Sequence, residues 1–363
     1  MAIVIIDGFD HYPTESNDDI HFHEVEAYSY TVERLGMYVL PSDRFGNQGK
    51  MFASAGGSNL RITNETAWAA GRIVVSFAIK FQDAPTSFVG SDAGNTPFIQ
   101  IYGTGSQRQL YLERDNVTLE LHLKFGNGDI LQTATNVLDS DTWYWVEMKV
   151  FLDDTVGTVE VQVDGSSTGW IDYTGDTLRY DSAIPINMIL IRGDDNPYNG
   201  WLTYFDDLVI QDDDANNTWL GDSRVTTLFP RTDNTVQLST YPNTGDDNAQ
   251  FLNDEGLEGP SEDDYYVWST TAGHQDYYNF DTIDNDDTIH AISLYYRARK
   301  TNTAPRTVQS LVGANSQEGP VRELSSSYVT YHDIFEYQDP TEGLEVDWTQ
   351  TNLDASTFGV KVV

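Results

Sequence analysis

Apolar and polar residues alternate along most of this chain, the two-residue period of a half-buried β-strand. From Arg72 to Phe81, one face takes Ile73, Val75, Phe77, Ile79 and Phe81, and the other takes Arg72, Ser76 and Lys80. Val117, Leu119, Leu121, Leu123 and Phe125 alternate with Thr118, Glu120, His122 and Lys124. Val159, Val161 and Val163 alternate with Glu160, Gln162 and Asp164. Turn-forming residues separate the runs at Gly126-Asn127-Gly128, Asp139-Ser140-Asp141 and Asp164-Gly165. No long amphipathic helix pattern interrupts them. Many short strands with one buried face each predict antiparallel sheets, and hence an all-β sandwich or barrel.

The pattern also marks a division. A strand over Tyr204–Ile210 ends in the acidic run Gln211-Asp-Asp-Asp-Ala-Asn-Asn217. Beyond it, strands are predicted over Thr235–Thr240, Ile289–Arg299, Arg306–Val312, Ser327–Tyr337 and Phe358–Val363, with long polar loops at Asn243–Asp264 and Thr301–Pro305. The expected organisation is a first domain over 1–212, an acidic linker over 213–221 and a smaller β-rich domain over 222–363.

Composition adds limits. A chain of 363 residues is long enough for two domains of roughly 100–200 residues each. Hydrophobic residues make up 39% and aromatic residues 12%, enough to build cores, so the charge does not imply disorder. Against 20 basic residues stand 57 acidic ones, a net charge of −37. Such a surface repels nucleic acid and anionic lipid, so no nucleic-acid partner and no membrane insertion are expected. It suits a particle exterior, a salty medium or divalent cations. With no cysteine, disulfides and thiol chemistry are excluded. The opening Met1-Ala-Ile-Val-Ile-Ile-Asp7 lacks a basic leader segment, and no stretch reaches the ~20 apolar residues of a membrane helix. Folding in a cytoplasm is the expectation.

Four fragments then carry a resemblance: Ile6-Asp7-Gly8-Phe9-Asp10, Trp143-Tyr-Trp-Val-Glu-Met-Lys-Val150, Val159–Gly165, and Tyr204-Phe-Asp-Asp-Leu-Val-Ile210. In their order and spacing, the first part resembles concanavalin A-like lectin and laminin-G jelly rolls. Trp143 would cover the end of the sandwich while Val146, Met148 and Val150 fill its core. The second part, over roughly 219–363, resembles a C-terminal region of tailed-bacteriophage virion proteins that carry such a jelly roll. This rests on Leu220-Gly-Asp-Ser-Arg-Val225 with Pro230 and Asp233, and on Gly259-Pro-Ser-Glu-Asp-Asp-Tyr-Tyr266. Ile292–Lys300, Tyr337-Gln-Asp-Pro340, Trp348–Leu353 and Gly359-Val360 complete the set.

In many lectin-like jelly rolls a calcium ion ties the first strand to the last. The resemblance therefore implies a structural calcium held by Asp7 and Asp10 with Asp206 or Asp207, since calcium takes six to eight oxygen ligands. Tyr198 and Trp201 are the expected platforms for stacking on a sugar ring, with Trp68 and Trp170 as alternatives. Known catalytic patterns fail. The segment Glu345-Val-Asp347-Trp-Thr-Gln350 ends in Gln where a paired-carboxylate hydrolase strand needs an acid. No Gly-x-Ser-x-Gly, Walker loop or His-Glu-x-x-His occurs. The metal patterns His21-Phe-His23 and Asp212-x-Asp214-x-Asn216 are short or incomplete. The expectation is therefore a non-enzymatic structural component of a tailed phage particle, assembled in the host cytoplasm and exposed on the tail or outer surface. Its partners would be other virion proteins, copies of itself and a host-surface glycan. The alternative is a carbohydrate-binding lectin module or a glycan depolymerase.

Overall fold

The computed structural model describes residues 3–9, 30–33, 37–40, 44, 51–54, 59–68, 70–82, 95–180, 186–193, 202–212, 218–242, 247–252, 266–283, 288–313, 317–339 and 346–363. The chain forms two compact units, Met1–Val225 and Thr226–Val363. Strands dominate both, and the α-helices among the described residues are two single turns, α1 (Asn248–Leu252) and α2 (Gln350–Asp354). The chain is all-β, as the alternation predicts.

The first unit is a sandwich of two antiparallel sheets. Across the first sheet lie β13 (Asp172–Gly175), β12 (Gly157–Val163), β11 (Trp143–Phe151), β6 (Arg72–Phe81), β15 (Thr203–Gln211), β4 (Met51–Ser54) and β3 (Met37–Leu40), with β1 (Ile3–Asp7) also paired to β15. Across the second lie β10 (Ile130–Val137), β9 (Glu120–Phe125), β8 (Gln107–Arg114), β7 (Thr96–Gly103), β14 (Ile186–Arg192), β5 (Asn59–Trp68) and β2 (Tyr30–Glu33). The core lies between them. Phe77 of β6 meets Phe98 of β7 edge-on with ring centroids 6.3 Å apart, and Phe81 meets the same ring at 5.5 Å. Val146, Met148 and Val150 of β11 are buried beside Phe77, Val75 and Ile73 of β6. Each such side chain contributes about 1.5–3 kcal/mol.

One strand start departs from its pattern. Val117 and Leu119 continue the alternation of β9, yet the strand begins at Glu120. The Asp115 carboxylate accepts the N–H groups of Val117 and Thr118, each at 2.7 Å, and Leu119 takes a positive φ of 62°. A local side-chain turn outcompetes the apolar period. At the end of β12, Asp164 and Gly165 both take positive φ, 50° and 74°, the requirement of a tight hairpin turn.

The outward side of the first sheet is also buried, which alternation alone does not predict. Val74, Ser76, Ala78, Trp145 and Glu147 are each at most 4% exposed. Glu147 shows why. Its carboxylate accepts the backbone N–H of Leu220 at 2.7 Å and of Gly221 at 3.1 Å, so the chain after β15 lies over this face. Lys149 reaches the Trp219 ring at 4.1 Å, and Asp207 accepts the N–H of Val225 at 2.7 Å. The described part of the expected linker, Thr218–Gly221, and the residues through Val225 thus belong to the first unit. Burial raises the Glu147 pKa, and the two backbone donors oppose that rise.

The second unit is built on a sheet ordered β16 (Pro230–Thr235), β19 (Gln275–Phe280), β27 (Phe358–Val362), β21 (Thr307–Val312) and β22 (Gln317–Glu318), with β23 (Arg322–Glu323) also on β21. Three two-stranded pairs accompany it: β17 (Ser239–Tyr241) with β18 (Tyr266–Trp268), β20 (Ile292–Ala298) with β24 (Val329–Phe335), and β25 (Tyr337–Asp339) with β26 (Val346–Asp347). The expected strand over Thr235–Thr240 is divided between β16 and β17. Val312, Phe335, Trp348, Leu353 and Phe358 form the core. Two buried carboxylates organise the polar interior. Asp276 accepts Gln237 N, Leu238 N, Asn248 Nδ2 and Tyr278 Oη at 2.6–2.8 Å. Asp333 accepts Ser310 Oγ at 2.5 Å, Arg322 Nη2 at 2.7 Å and Tyr296 Oη at 3.1 Å.

Candidate functional site

Strand pairing brings Asp7 of β1 beside Leu208 of β15, so Asp7 does approach Asp206 and Asp207. All three are at most 2% exposed. Asp10 lies outside the described residues. The strand β15 is irregular against β6 between Asp206 and Val209, and Asp207 takes a positive φ of 53°, a conformation Asp tolerates better than most residues. The bulge turns both carboxylates toward Arg44. The Arg44 backbone N–H donates to Asp206 Oδ2 at 3.1 Å, and its Nε lies 2.7 Å from Asp207 Oδ2. Its other nitrogens reach Asp222 Oδ1 at 2.7 Å and the Ser223 carbonyl oxygen, and the guanidinium sits 5.3 Å from the Trp145 ring centroid. Asp7 accepts the N–H of Phe9 at 2.7 Å. Among the described residues no group of three His, Asp or Glu side chains is gathered as a metal site.

Tyr198 and Trp201, the expected sugar platforms, lie outside the described residues, as do His21 and His23. Trp68 and Trp170 are 3% and 9% exposed; they are packing residues and offer no stacking face.

The second sheet holds an arrangement that no single motif announces. Its inward side chains are Leu60, Ile62, Ile99, Ile101, Leu110, Leu112, Leu121, Leu123, Ile189 and Ile191, all at most 1% exposed. The intervening positions point away from the core. Ladder partners place Arg61, Leu190, Gln100, Tyr111 and Lys124 in one row across β5, β14, β7, β8 and β9. Four interstrand spacings of ~4.8 Å make this row about 19 Å long. Alongside it, Glu113 of β8 pairs with His122 of β9, and Arg192 of β14 with Asn59 of β5.

Polar side chains on an outward sheet face are ordinarily solvated. Here Gln100 is fully buried, and Tyr111, Glu113 and His122 are 5%, 7% and 8% exposed. Gln100 Oε1 accepts Tyr102 Oη at 2.9 Å and Arg108 Nη1 at 3.2 Å. Because an arginine only donates, this fixes the amide orientation. Gln100 Nε2 then has no acceptor among the described residues, and neither does buried His122 Nδ1 have a partner. Buried polar groups without partners cost about 1–3 kcal/mol each. Arg108 caps the Tyr111 ring at 4.3 Å, and Glu113 takes Lys124 and Asn95. Burial first, then the Glu113 charge, raises the Tyr111 phenol pKa, and Arg108 opposes them.

A glycine completes the arrangement. Arg108 donates from Nε and Nη2 to the Gly126 carbonyl oxygen at 3.2 and 2.8 Å. A Cβ on Gly126 would stand 1.7 Å from the Arg108 carbonyl oxygen, so the turn after β9 closes onto β8 only with glycine there.

No family model and no curated protein matches this chain. Solved structures do. Cellulose induced protein Cip1 is 16% identical with a TM-score of 0.38, over 57% of this chain and 96% of that one. The alginate lyase vAL-1 from Chlorella virus is 10% identical with a TM-score of 0.36, over 55% of this chain and 99% of its own. The Trypanosoma rangeli sialidase is 19% identical with a TM-score of 0.33, and this chain covers 48% of itself and 27% of the sialidase. These matches correct one expectation. With sialidases and alginate lyases among the similar structures, the lack of a short catalytic motif does not set this chain apart as non-enzymatic. Residues drawn from separate strands, as on the second sheet here, leave no contiguous motif to find.

Proposed function

We propose that this chain is a glycan-binding β-sandwich protein and that the outward face of the second sheet, around Gln100, Arg108, Tyr111, His122 and Lys124, is its site. The observation that carries this is the set of poorly exposed polar groups, of which Gln100 Nε2 and His122 Nδ1 lack partners. A sugar's hydroxyls can donate and accept, so they supply the missing partners. The row is long enough for several sugar units. A glycan array read with the full chain tests this directly. Binding of one glycan class, abolished by His122→Ala and Lys124→Ala in folded protein, supports the site. Binding that survives both changes refutes it.

Processing of the bound glycan is the second reading. It is favoured by His122 and Tyr111, two groups able to move protons, on adjacent strands and two ladder pairs apart. Release of new reducing or unsaturated ends from the array's hits measures it. A place on a phage particle rests on the sequence resemblance of residues 219–363, and immunogold labelling of intact particles tests that assignment.

A further inference from the structure

The site's charge runs against that of the molecule. The chain carries 57 acidic and 20 basic residues, yet the described side chains on the outward face of the second sheet include Arg61, Arg108, Lys124 and Arg192 against Glu113 and Glu120. Lys124 is paired with Glu113. Arg108 is different. Its partners are the Gly126 carbonyl, the Gln100 amide oxygen and the Tyr111 ring, all neutral. A half-buried arginine with neutral partners is unusual where carboxylates are so abundant, because an ion pair would offset its desolvation. One N–H on each of Nη1 and Nη2 remains for a further acceptor. Gln100 Nε2, the amide donor lacking an acceptor, belongs to the side chain that Arg108 already holds at 3.2 Å.

We propose that Arg108 and Gln100 form an oxyanion site, so that the glycan bound on this face is anionic, bearing carboxylate or sulfate groups. This rests on the glycan-binding reading and names its substrate class. An oxyanion supplies the acceptor that Gln100 Nε2 lacks and the counter-charge that Arg108 lacks, in the forked geometry a guanidinium favours. Gln100 is fully buried and Arg108 half-buried, so the anion meets Arg108 before the amide. The overall negative charge does not forbid this. At 0.15 M salt, charges beyond about 8 Å are largely screened, so distant carboxylates do not outweigh Arg108.

The test measures binding of the full chain to four probes at 0.15 M salt: oligogalacturonate, its carboxyl-reduced neutral form, dextran sulfate and plain dextran. Charge-assisted hydrogen bonds predict that an anionic probe binds about tenfold or more tighter than its neutral counterpart. Whichever anionic probe does so identifies carboxylate or sulfate as the source. Gln100→Glu keeps the shape and the acceptor for Arg108 and Tyr102 while placing a fixed carboxylate in the site. It should abolish the anionic preference. Arg108→Lys, which keeps the charge and loses the fork, serves as the second variant and should reduce the preference without erasing it. Equal binding of anionic and neutral probes, sensitive to His122→Ala, overturns the oxyanion site and leaves the glycan face standing. Anionic preference unchanged in both variants overturns the assignment to these residues. No binding of the four probes or of the array overturns both readings.

Discussion

Arg44 is the test of what neutralises the buried carboxylates of β15. Its guanidinium side chain is 7% exposed and faces Asp207, which is 3% exposed, at 2.7 Å. Removing one member of a buried ion pair costs about 3–5 kcal/mol, chiefly because the remaining charge is left unsolvated. The contact to Asp222 adds little, since that carboxylate is 60% exposed and exposed pairs contribute ~0–1 kcal/mol. Stacking over Trp145 adds about 0.5–2 kcal/mol. Two contacts survive in Arg44→Ala: the backbone N–H to Asp206 and the Val225 N–H to Asp207. A loss of about 3 kcal/mol is therefore expected, at the lower end of the range. Urea unfolding followed by tryptophan fluorescence measures it, because Trp145 lies directly under the guanidinium. The same titration with chelator and with added calcium separates the arginine from a metal ion. Chelator should leave the wild type unmoved apart from ionic-strength effects. A loss under 1 kcal/mol in the variant, or a chelator effect on the wild type as large as the substitution, refutes the role given to Arg44.

Three further outcomes follow from the packing. Glu147 has a raised pKa, so in the pH window opening above 4.5 the folded state holds its proton more firmly than the unfolded state, and stability falls as pH rises. Glu147→Gln removes that slope, so its stability relative to wild type should improve as pH rises above 4.5 in parallel denaturant titrations; an unchanged difference contradicts the burial. Asp276→Ala leaves two backbone donors and two side-chain donors of the second unit unsatisfied, and at about 1–3 kcal/mol for each buried donor that unit should become protease-sensitive while the first stays resistant. Gly126→Ala forces β8 and the turn after β9 apart, costing about 1–3 kcal/mol and weakening glycan binding, read by thermal unfolding and by the array.

Much of the sandwich was legible because it is written locally. The alternation in Arg72–Phe81 and Val159–Val163 reappears as β6 and β12, and the Asp164-Gly165 turn takes the conformation its residues favour. Val117 and Leu119 were misleading because Asp115, two residues upstream, captures the backbone before the ladder can. The burial of Ser76 and Glu147 was invisible for another reason. It depends on residues 218–225, some seventy positions from Glu147, and periodicity carries no information at that range.

The functional face was hidden in the same way. Gln100, Tyr111, His122 and Lys124 occupy the polar phase of ordinary amphipathic strands, and along any one strand they read as a solvated surface. Only the ladder across β7, β8 and β9 sets them side by side, and only their low exposure separates them from decoration. A usable clue was present in the charge. Basic residues are scarce in this chain, and strand positions such as Arg61, Arg108 and Lys124 hold several of them.

The most direct test of the central claim is hydrogen–deuterium exchange on the full chain with and without the tightest-binding oligosaccharide from the array. A site on the second sheet predicts added protection over Thr96–Phe125, spanning β7, β8, β9 and their turns, with the second unit unchanged. Protection confined to residues 226–363, or to the first sheet, contradicts it.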